Sequence, residues 1–141
     1  MLTPEEADSL AAIAAQIIPT DDTPGAREAQ VVRFLDLSLA GFARDQLPLY
    51  RQGVAQLDAQ ARRLDATATS YAALSSEKQG ELLRSLESAS SPFFESVLAA
   101  TITGMFANPQ YGGNHDKIGW RLIGFEDRFA WGPPFGEYDG A

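Results

Sequence analysis

The chain offers few side chains that could perform chemistry, and the first of these are His115 and Asp116. His115 is the only histidine in the 141 residues, and an imidazole beside a carboxylate can act as a general acid or base. Such a pair needs a nucleophile, a metal ion or an oriented substrate, and the sequence offers none at a characteristic spacing. We therefore expect His115 to be a hydrogen-bonded loop residue. A small helical enzyme that uses His115 and Asp116 is the alternative.

Metal, phosphate and thiol chemistry have equally little support. Asp21 and Asp22 in a turn, and Asp116 beside His115, do not form a ligand set of recognisable spacing. The Gly112-Gly113 pair is not a GxGxxG motif and follows a predicted helix rather than a strand. The chain contains no cysteine, which excludes disulfides, thiolate ligation of iron–sulfur clusters and CxxCH haem attachment. We predict no catalytic, cofactor-binding or metal-binding residue in this chain.

The most unusual segment is 108–125, NPQYGGNHDKIGWRLIGF, which holds four glycines, a proline, two asparagines and several large rings. Glycine takes positive φ at little cost and asparagine tolerates it, so this segment is expected to turn repeatedly. Large rings on so short a loop are usually ordered against something. The loop is predicted either to close the end of a helical core or to present a rigid surface to another protein.

Surplus aromatic surface near the C-terminus favours a protein interface, because tyrosine and tryptophan are enriched there. The alternative is that the tail folds back over its own helices. The predicted interface residues are Tyr111, Asn114, His115, Trp120, Phe125, Phe129, Trp131, Phe135 and Tyr138.

Composition narrows the class of protein further. Hydrophobic residues make up 45% of the chain and charged residues 21%, which is typical of a globular domain rather than a disordered chain. The net charge of −8 gives no basic stripe for phosphate contacts, so nucleic-acid binding is not expected. No run of 18 apolar residues is present, and no membrane insertion is predicted. The N-terminus shows no signal-peptide pattern.

Apolar residues recur with steps of three and four through most of the chain, which predicts an all-α fold. We expect one domain over residues 1–141, a bundle of about five helices with a core at 2–125 and a Gly- and aromatic-rich tail at 126–141. The predicted helices start at Thr3 as N-cap and stop at Pro19, then span 26–40, 47–64 and 76–87, and the last runs from Pro92 to Asn108.

Capping signals support these boundaries. Thr3 with Glu6, and Ser76 with Gln79, have the spacing of capping boxes, and Ser91-Pro92 is a helix start. Between the third and fourth helices, Tyr71 is predicted to anchor a loop. The last long helix is expected to be the most buried, because apolar side chains cover nearly half of its circumference. These are Phe93, Phe94, Val97, Leu98, Thr101, Ile102, Met105 and Phe106.

Three segments together carry a family resemblance. The first is PGAREA at 24–29 after a helix ending in IIP, the second is YRQGVAQLD at 50–58, and the third is YGGNHDKIGWRLIGF at 111–125. In this order they resemble the gluconate 2-dehydrogenase subunit 3 family over roughly Leu2 to Phe125. The pattern YGGN–D––GW–LIGF is the most specific part.

The resemblance implies a small subunit that partners a large flavoprotein of the glucose–methanol–choline oxidoreductase type. In such complexes the large subunit holds the FAD and oxidises the sugar, and many complexes add a multihaem cytochrome subunit. The small subunit is similar to a maturation and export partner that often bears a twin-arginine leader. The chain as given shows no leader, so a cytoplasmic complex is expected, or a periplasmic one if a leader was trimmed or the partner carries the signal.

The residues and the resemblance agree on a non-catalytic subunit with no cofactor of its own. The resemblance adds that it is an accessory subunit of a FAD-dependent carbohydrate dehydrogenase. Two alternatives stay open: the small enzyme described above, and a free-standing helical chaperone without a stable partner.

Overall fold

The structure is a computed structural model that describes residues 1–128. These residues contain six α-helices and no β-strand, which confirms the all-α fold class. The helices are α1 (Pro4–Ile17), α2 (Val31–Ala40), α3 (Leu47–Leu64), α4 (Ser76–Ser88), α5 (Pro92–Phe106) and the short α6 (Ile118–Leu122). Short 3₁₀ turns lie at Arg44–Gln46, Tyr71–Ala73, Pro109–Tyr111 and His115–Lys117.

Two helices share the centre of the bundle. α1 packs against α2, α3, α4 and α5, and its Leu10 and Ile13 are fully buried. α5 contacts all four of the other long helices and also α6, so it is central as predicted. The apolar stripe predicted for α5 is not buried along its whole length, because Ile102 is 48% exposed. Ile102 lies on the far side of α5 from Val97 and Gly104, which face the core.

Local capping determines where several helices begin. The Thr3 hydroxyl accepts a hydrogen bond from the backbone N–H of Glu6, and the Glu6 carboxylate accepts one from the Thr3 N–H, so the predicted capping box is present. Ser91 is the N-cap of α5, and its hydroxyl accepts a hydrogen bond from the backbone N–H of Phe94. Pro92 occupies the first helical turn. The predicted bounds of α3 agree with the structure.

The predicted start of α2 is wrong by five residues. Residues 26–30 form consecutive turns instead, and Gln30 adopts a left-handed conformation with φ of 53° immediately before Val31. A non-glycine residue in that region interrupts the regular i to i−4 hydrogen bonds, so the helix can only begin after it.

The predicted capping box at Ser76 is also wrong, because Ser75 is the N-cap of α4 and its hydroxyl accepts from the Lys78 N–H. Gln79 is buried, and its amide nitrogen lies 3.2–3.3 Å from the carbonyl oxygens of the 71–74 turn. Tyr71 is fully buried beside it and donates its hydroxyl hydrogen to the Gln79 carbonyl at 3.1 Å. Tyr71 therefore anchors its loop as predicted.

Candidate partner interface

The end of α5 determines the shape of segment 108–125. The last four carbonyl groups of an α-helix lack partners within the helix, and buried ones must find them elsewhere. Here the segment returns across the helix end and supplies most of them. The backbone N–H of Asn114 donates to the Gly104 carbonyl at 2.8 Å, and the Asn114 side-chain amide donates to the Ala107 carbonyl at 2.9 Å.

Asn114 also caps the next helix. Its side-chain oxygen accepts hydrogen bonds from the backbone N–H groups of Gly119 at 2.8 Å and Trp120 at 3.3 Å, the second and third residues of α6. An N-cap side chain normally satisfies the same groups from the position directly before the helix. Asn114 does so from four residues before Ile118, and it is fully buried. The prediction that Asn114 contacts a partner is therefore wrong, because its side chain is enclosed within its own chain.

Trp120 completes the closure of α5. Its indole N–H donates to the carbonyl of Phe106 at 2.6 Å, and its ring lies 5.0 Å from the ring of Phe125, centroid to centroid. The Trp120 side chain is partly buried and the Phe125 side chain is 44% exposed. Of these two predicted interface residues, Trp120 mainly contacts other residues of the described chain, whereas Phe125 exposes much of its ring to solvent.

Three glycines let the segment approach the helices closely. A Cβ atom on Gly113 would overlap the carbonyl oxygen of Gly104, and one on Gly119 would overlap that of Met105. Gly112 has φ of 104°, as predicted for a turn, and a Cβ there would lie 2.7 Å from the Leu37 side chain on α2. Gly113 does not need a positive φ, so its role is close approach rather than the predicted backbone freedom.

His115 lies on the exposed rim of this segment. Its backbone N–H donates to the Ala29 carbonyl at 3.1 Å, and its Nε2 lies 3.4 Å from a carboxylate oxygen of Asp116. Asn114, Asp116 and Lys117 all have φ between 45° and 59°, a left-handed backbone that is costly for residues with a Cβ. Three such residues in a run of four are held in place by the hydrogen bonds around Asn114.

Exposed apolar side chains mark two places on this end of the molecule. Leu122 ends α6, and Ile123 and Phe125 follow it. Leu37 and Phe42 are exposed at and just after the end of α2, and the exposed Tyr111 directly precedes Gly112, which lies against the Leu37 side chain. Leu37, Phe42 and Ile123 were not among the predicted interface residues. The sequence held a clue to the exposure of two of these. Leu37 does not belong to the inner apolar stripe of α2, and Phe42 directly follows Gly41, which ends the helix. The predicted interface residues Phe129, Trp131, Phe135 and Tyr138 lie outside the described residues.

Within residues 1–128, no group of three or more histidine, aspartate or glutamate side chains is placed to hold a metal ion. No helix in that part of the chain combines the length and the apolar character needed to cross a membrane. The grooves between helices are shallow and mostly apolar. The one between α1, α4 and α5 has a volume of about 260 Å³ and is lined by Ile17, Leu83, Phe94 and Leu98, with Gln16, Gly80, Arg84 and Glu87 at its edges.

Comparison with known proteins gives one match. The family model described as Gluconate 2-dehydrogenase subunit 3 matches residues 4–127, which is nearly all of the described chain. No curated protein and no solved structure matches at a significant level. The matched region includes all three segments on which the resemblance was based, and with them the Gly112–Trp120 closure of α5. The chain therefore belongs to the gluconate 2-dehydrogenase subunit 3 family.

Proposed function

We propose that this chain is a non-catalytic small subunit that binds, stabilises and helps to mature a FAD-dependent large subunit of the glucose–methanol–choline type. Membership in the family supports the coarser statement, a subunit of a dehydrogenase complex. The observation that carries the proposal is the hydrogen-bonded closure of α5 by segment 108–125, which leaves Tyr111 half exposed next to Gly112, the residue that lies against Leu37. Phe42 is exposed just after the same helix, α2. Exposed apolar groups on an ordered scaffold are typical of a surface that another protein covers.

In this proposal the two subunits divide the work. The large subunit holds FAD and oxidises the carbohydrate, and a multihaem cytochrome carries the electrons onward where one is present. The small subunit contributes binding surface to the folding large subunit, and the complex assembles in the cytoplasm before any export. Of the predicted interface residues, Tyr111, His115 and Phe125 are the exposed ones among residues 1–128 and are proposed to contact the partner.

Co-expression tests the proposal. The small subunit is tagged and expressed with a candidate flavoprotein large subunit, and the eluate is examined for the second chain and for flavin absorbance. We expect the large subunit to co-elute with bound FAD, and to be less soluble and poorer in FAD when expressed alone. The isolated small subunit should show neither flavin absorbance nor sugar oxidation. Turnover by the isolated chain would favour the small-enzyme alternative, and failure to retain a large subunit would favour the free-standing chaperone.

A variant of His115 separates the accessory subunit from the enzyme. We expect His115→Ala to leave the dehydrogenase activity of the assembled complex within a few-fold of wild type, because the His115 side chain lies on the exposed rim with Asp116 as its ion-pair partner and no nucleophile or metal-ligand set accompanies the pair in residues 1–128. Removal of a general acid or base costs about a hundredfold or more. A loss of that size, with the complex still assembled, would place the ring at the reacting centre. Asp116→Asn is a second test of the same pair, since it removes the charge beside the ring, and it should also leave the activity within a few-fold of wild type.

A further inference from the structure

One exposed apolar surface lies at the C-terminal end of α2, and we refer to Leu37, Phe42 and Tyr111 as the α2 patch. Their exposed fractions are 48%, 74% and 50%. Single exposed hydrophobic residues are common on folded proteins, but several large ones side by side are more often covered by a partner.

Contacts with two buried residues, Gly112 and Phe34, relate the three members of the patch to α2. The Leu37 side chain lies against Gly112, which directly follows Tyr111. On the other side, the Phe42 ring lies 6.4 Å from the ring of Phe34, centroid to centroid, in a tilted arrangement. Phe34 and Leu37 are one helical turn apart on α2, so the contact with Phe42 and the contact with Gly112 lie on neighbouring turns of one helix.

A groove lies beside the patch and could receive a side chain. It has a volume of about 220 Å³, and Phe34 and Phe42 form one wall. The opposite wall is α5, where the small side chains of Ala99, Ala100 and Thr103 leave the space open. Interfaces are often held by an aromatic or aliphatic side chain that enters such a groove and loses all of its solvent.

The charges around the patch indicate the chemistry of its partner. Arg33 lies one turn before Leu37 on α2, and Arg44 lies two residues after Phe42; both are exposed. Neither arginine side chain forms an ion pair or hydrogen bond within the described part of the chain. Asp36 on the same helix accepts from the backbone N–H of Leu2, and Asp45 stands beside Arg44. Unpaired arginines therefore stand beside the patch in a chain whose net charge is −8.

We propose that the α2 patch docks a segment of the large subunit that carries an apolar anchor residue flanked by carboxylates, which rests on the proposed function above. Carboxylates on the partner would complement Arg33 and speed the approach of the two chains. A second copy of this chain fits less well, because a symmetric contact between two α2 patches would bring arginines and two acidic chains together.

Paired variants in the co-expressed complex test the surface. We expect Phe42→Ser and Arg33→Glu each to weaken capture of the large subunit by about tenfold or more, as for residues at the centre of an interface. For Arg33→Glu the loss should shrink as salt is raised, because a surface charge pair is screened. The matched controls are Leu64→Ser and Arg63→Glu at the end of α3, an exposed leucine and arginine away from the patch, which should stay within about twofold.

Each outcome decides between the two proposals. If the wild-type chain retains no large subunit, the proposed function is wrong and this inference fails with it. If the wild-type chain retains the large subunit, and Phe42→Ser and Arg33→Glu retain it as well as the wild type does, only the proposed docking surface is wrong. If Phe42→Ser lowers the Tm of the isolated chain, Arg33→Glu decides alone, since the Arg33 side chain is exposed and forms no hydrogen bond or ion pair within residues 1–128. A dimer of the isolated chain that Phe42→Ser dissociates would overturn the proposal in favour of a second copy.

Discussion

The side-chain oxygen of Asn114 accepts a hydrogen bond of 2.8 Å from the backbone N–H of Gly119, although the two residues are five positions apart. The same side chain donates to the Ala107 carbonyl beyond α5. One buried amide therefore satisfies polar groups at the end of one helix and at the start of the next. This explains in physical terms why the segment combines asparagine with three closely packed glycines: the asparagine supplies the bonds and the glycines let it come near enough.

Substitution of Asn114 should test this arrangement. Asn114→Ala removes the side-chain hydrogen bonds to Ala107 and Gly119. It also leaves alanine, which has a Cβ atom, in a left-handed conformation at φ of 45°. We expect it to lower the free energy of unfolding by about 3 kcal/mol, with buried polar groups left unpaired. Asn114→Gly removes the same bonds but tolerates the backbone conformation, so it should cost about 1 kcal/mol less. Equal losses in urea titrations of the two variants would show that the backbone conformation is not strained.

The helices could be predicted from the sequence more reliably than the functional surface. Thr3, Glu6 and Ser91 act on backbone groups only three residues away, so their spacing alone predicted the starts of α1 and α5. The start of α2 could not be predicted, because nothing local shows that Gln30 adopts a left-handed conformation. The partners of Asn114 and the exposure of Leu37 and Phe42 depend on how distant segments pack. Residue types suggested an interface near the C-terminus, but packing determined which of those residues are buried.

Gly119 should be intolerant of any side chain. A Cβ atom there would overlap the Met105 carbonyl oxygen, which belongs to the backbone and cannot move aside without displacing α5. We expect Gly119→Ala either to lower the free energy of unfolding by about 3 kcal/mol, the upper end of the usual cost of overpacking, or to release the segment from the end of α5. Gly124→Ala is the matched control. Gly124 has φ of 71° but no atom within 4 Å of a Cβ, so its cost should stay near the backbone term of about 1 kcal/mol. Thermal unfolding of both variants checks this. Similar losses in the two would mean that the close approach to Met105 is unimportant.

Two apolar residues of α5 should differ sharply on truncation. Phe94 is 8% exposed and packs into the core between α1, α4 and α5, so Phe94→Ala should lower the free energy of unfolding by about 3–5 kcal/mol. Ile102 belongs to the same predicted apolar stripe but is 48% exposed, and Ile102→Ala should cost less than about 1 kcal/mol in the isolated chain. Urea midpoints of the two variants measure the difference. A large loss for Ile102→Ala would contradict the exposure of this side chain.

Stability should decline at alkaline pH because of Tyr71. Burial raises the pKa of the Tyr71 hydroxyl well above its ordinary value, and burial likewise raises the pKa of Tyr50. A raised pKa in the folded state means that the stabilisation is complete below the unfolded pKa of about 10 and is lost progressively as pH rises above it. Tyr71→Phe removes one titrating group and the hydrogen bond to the Gln79 carbonyl, so it should cost about 1 kcal/mol at neutral pH.

The Tyr71→Phe variant should therefore lose less stability than wild type between pH 9 and 11, a range set by the ordinary tyrosine pKa of about 10. The gap between the two chains should narrow or reverse as the Tyr71 phenol ionises in the unfolded wild-type chain while it stays neutral in the folded one. The free energy of unfolding measured by urea titration across that range decides the matter. Because the two chains differ only at residue 71, the comparison isolates the contribution of the Tyr71 hydroxyl. Two curves that stay parallel would mean that the Tyr71 hydroxyl reaches solvent in the folded state.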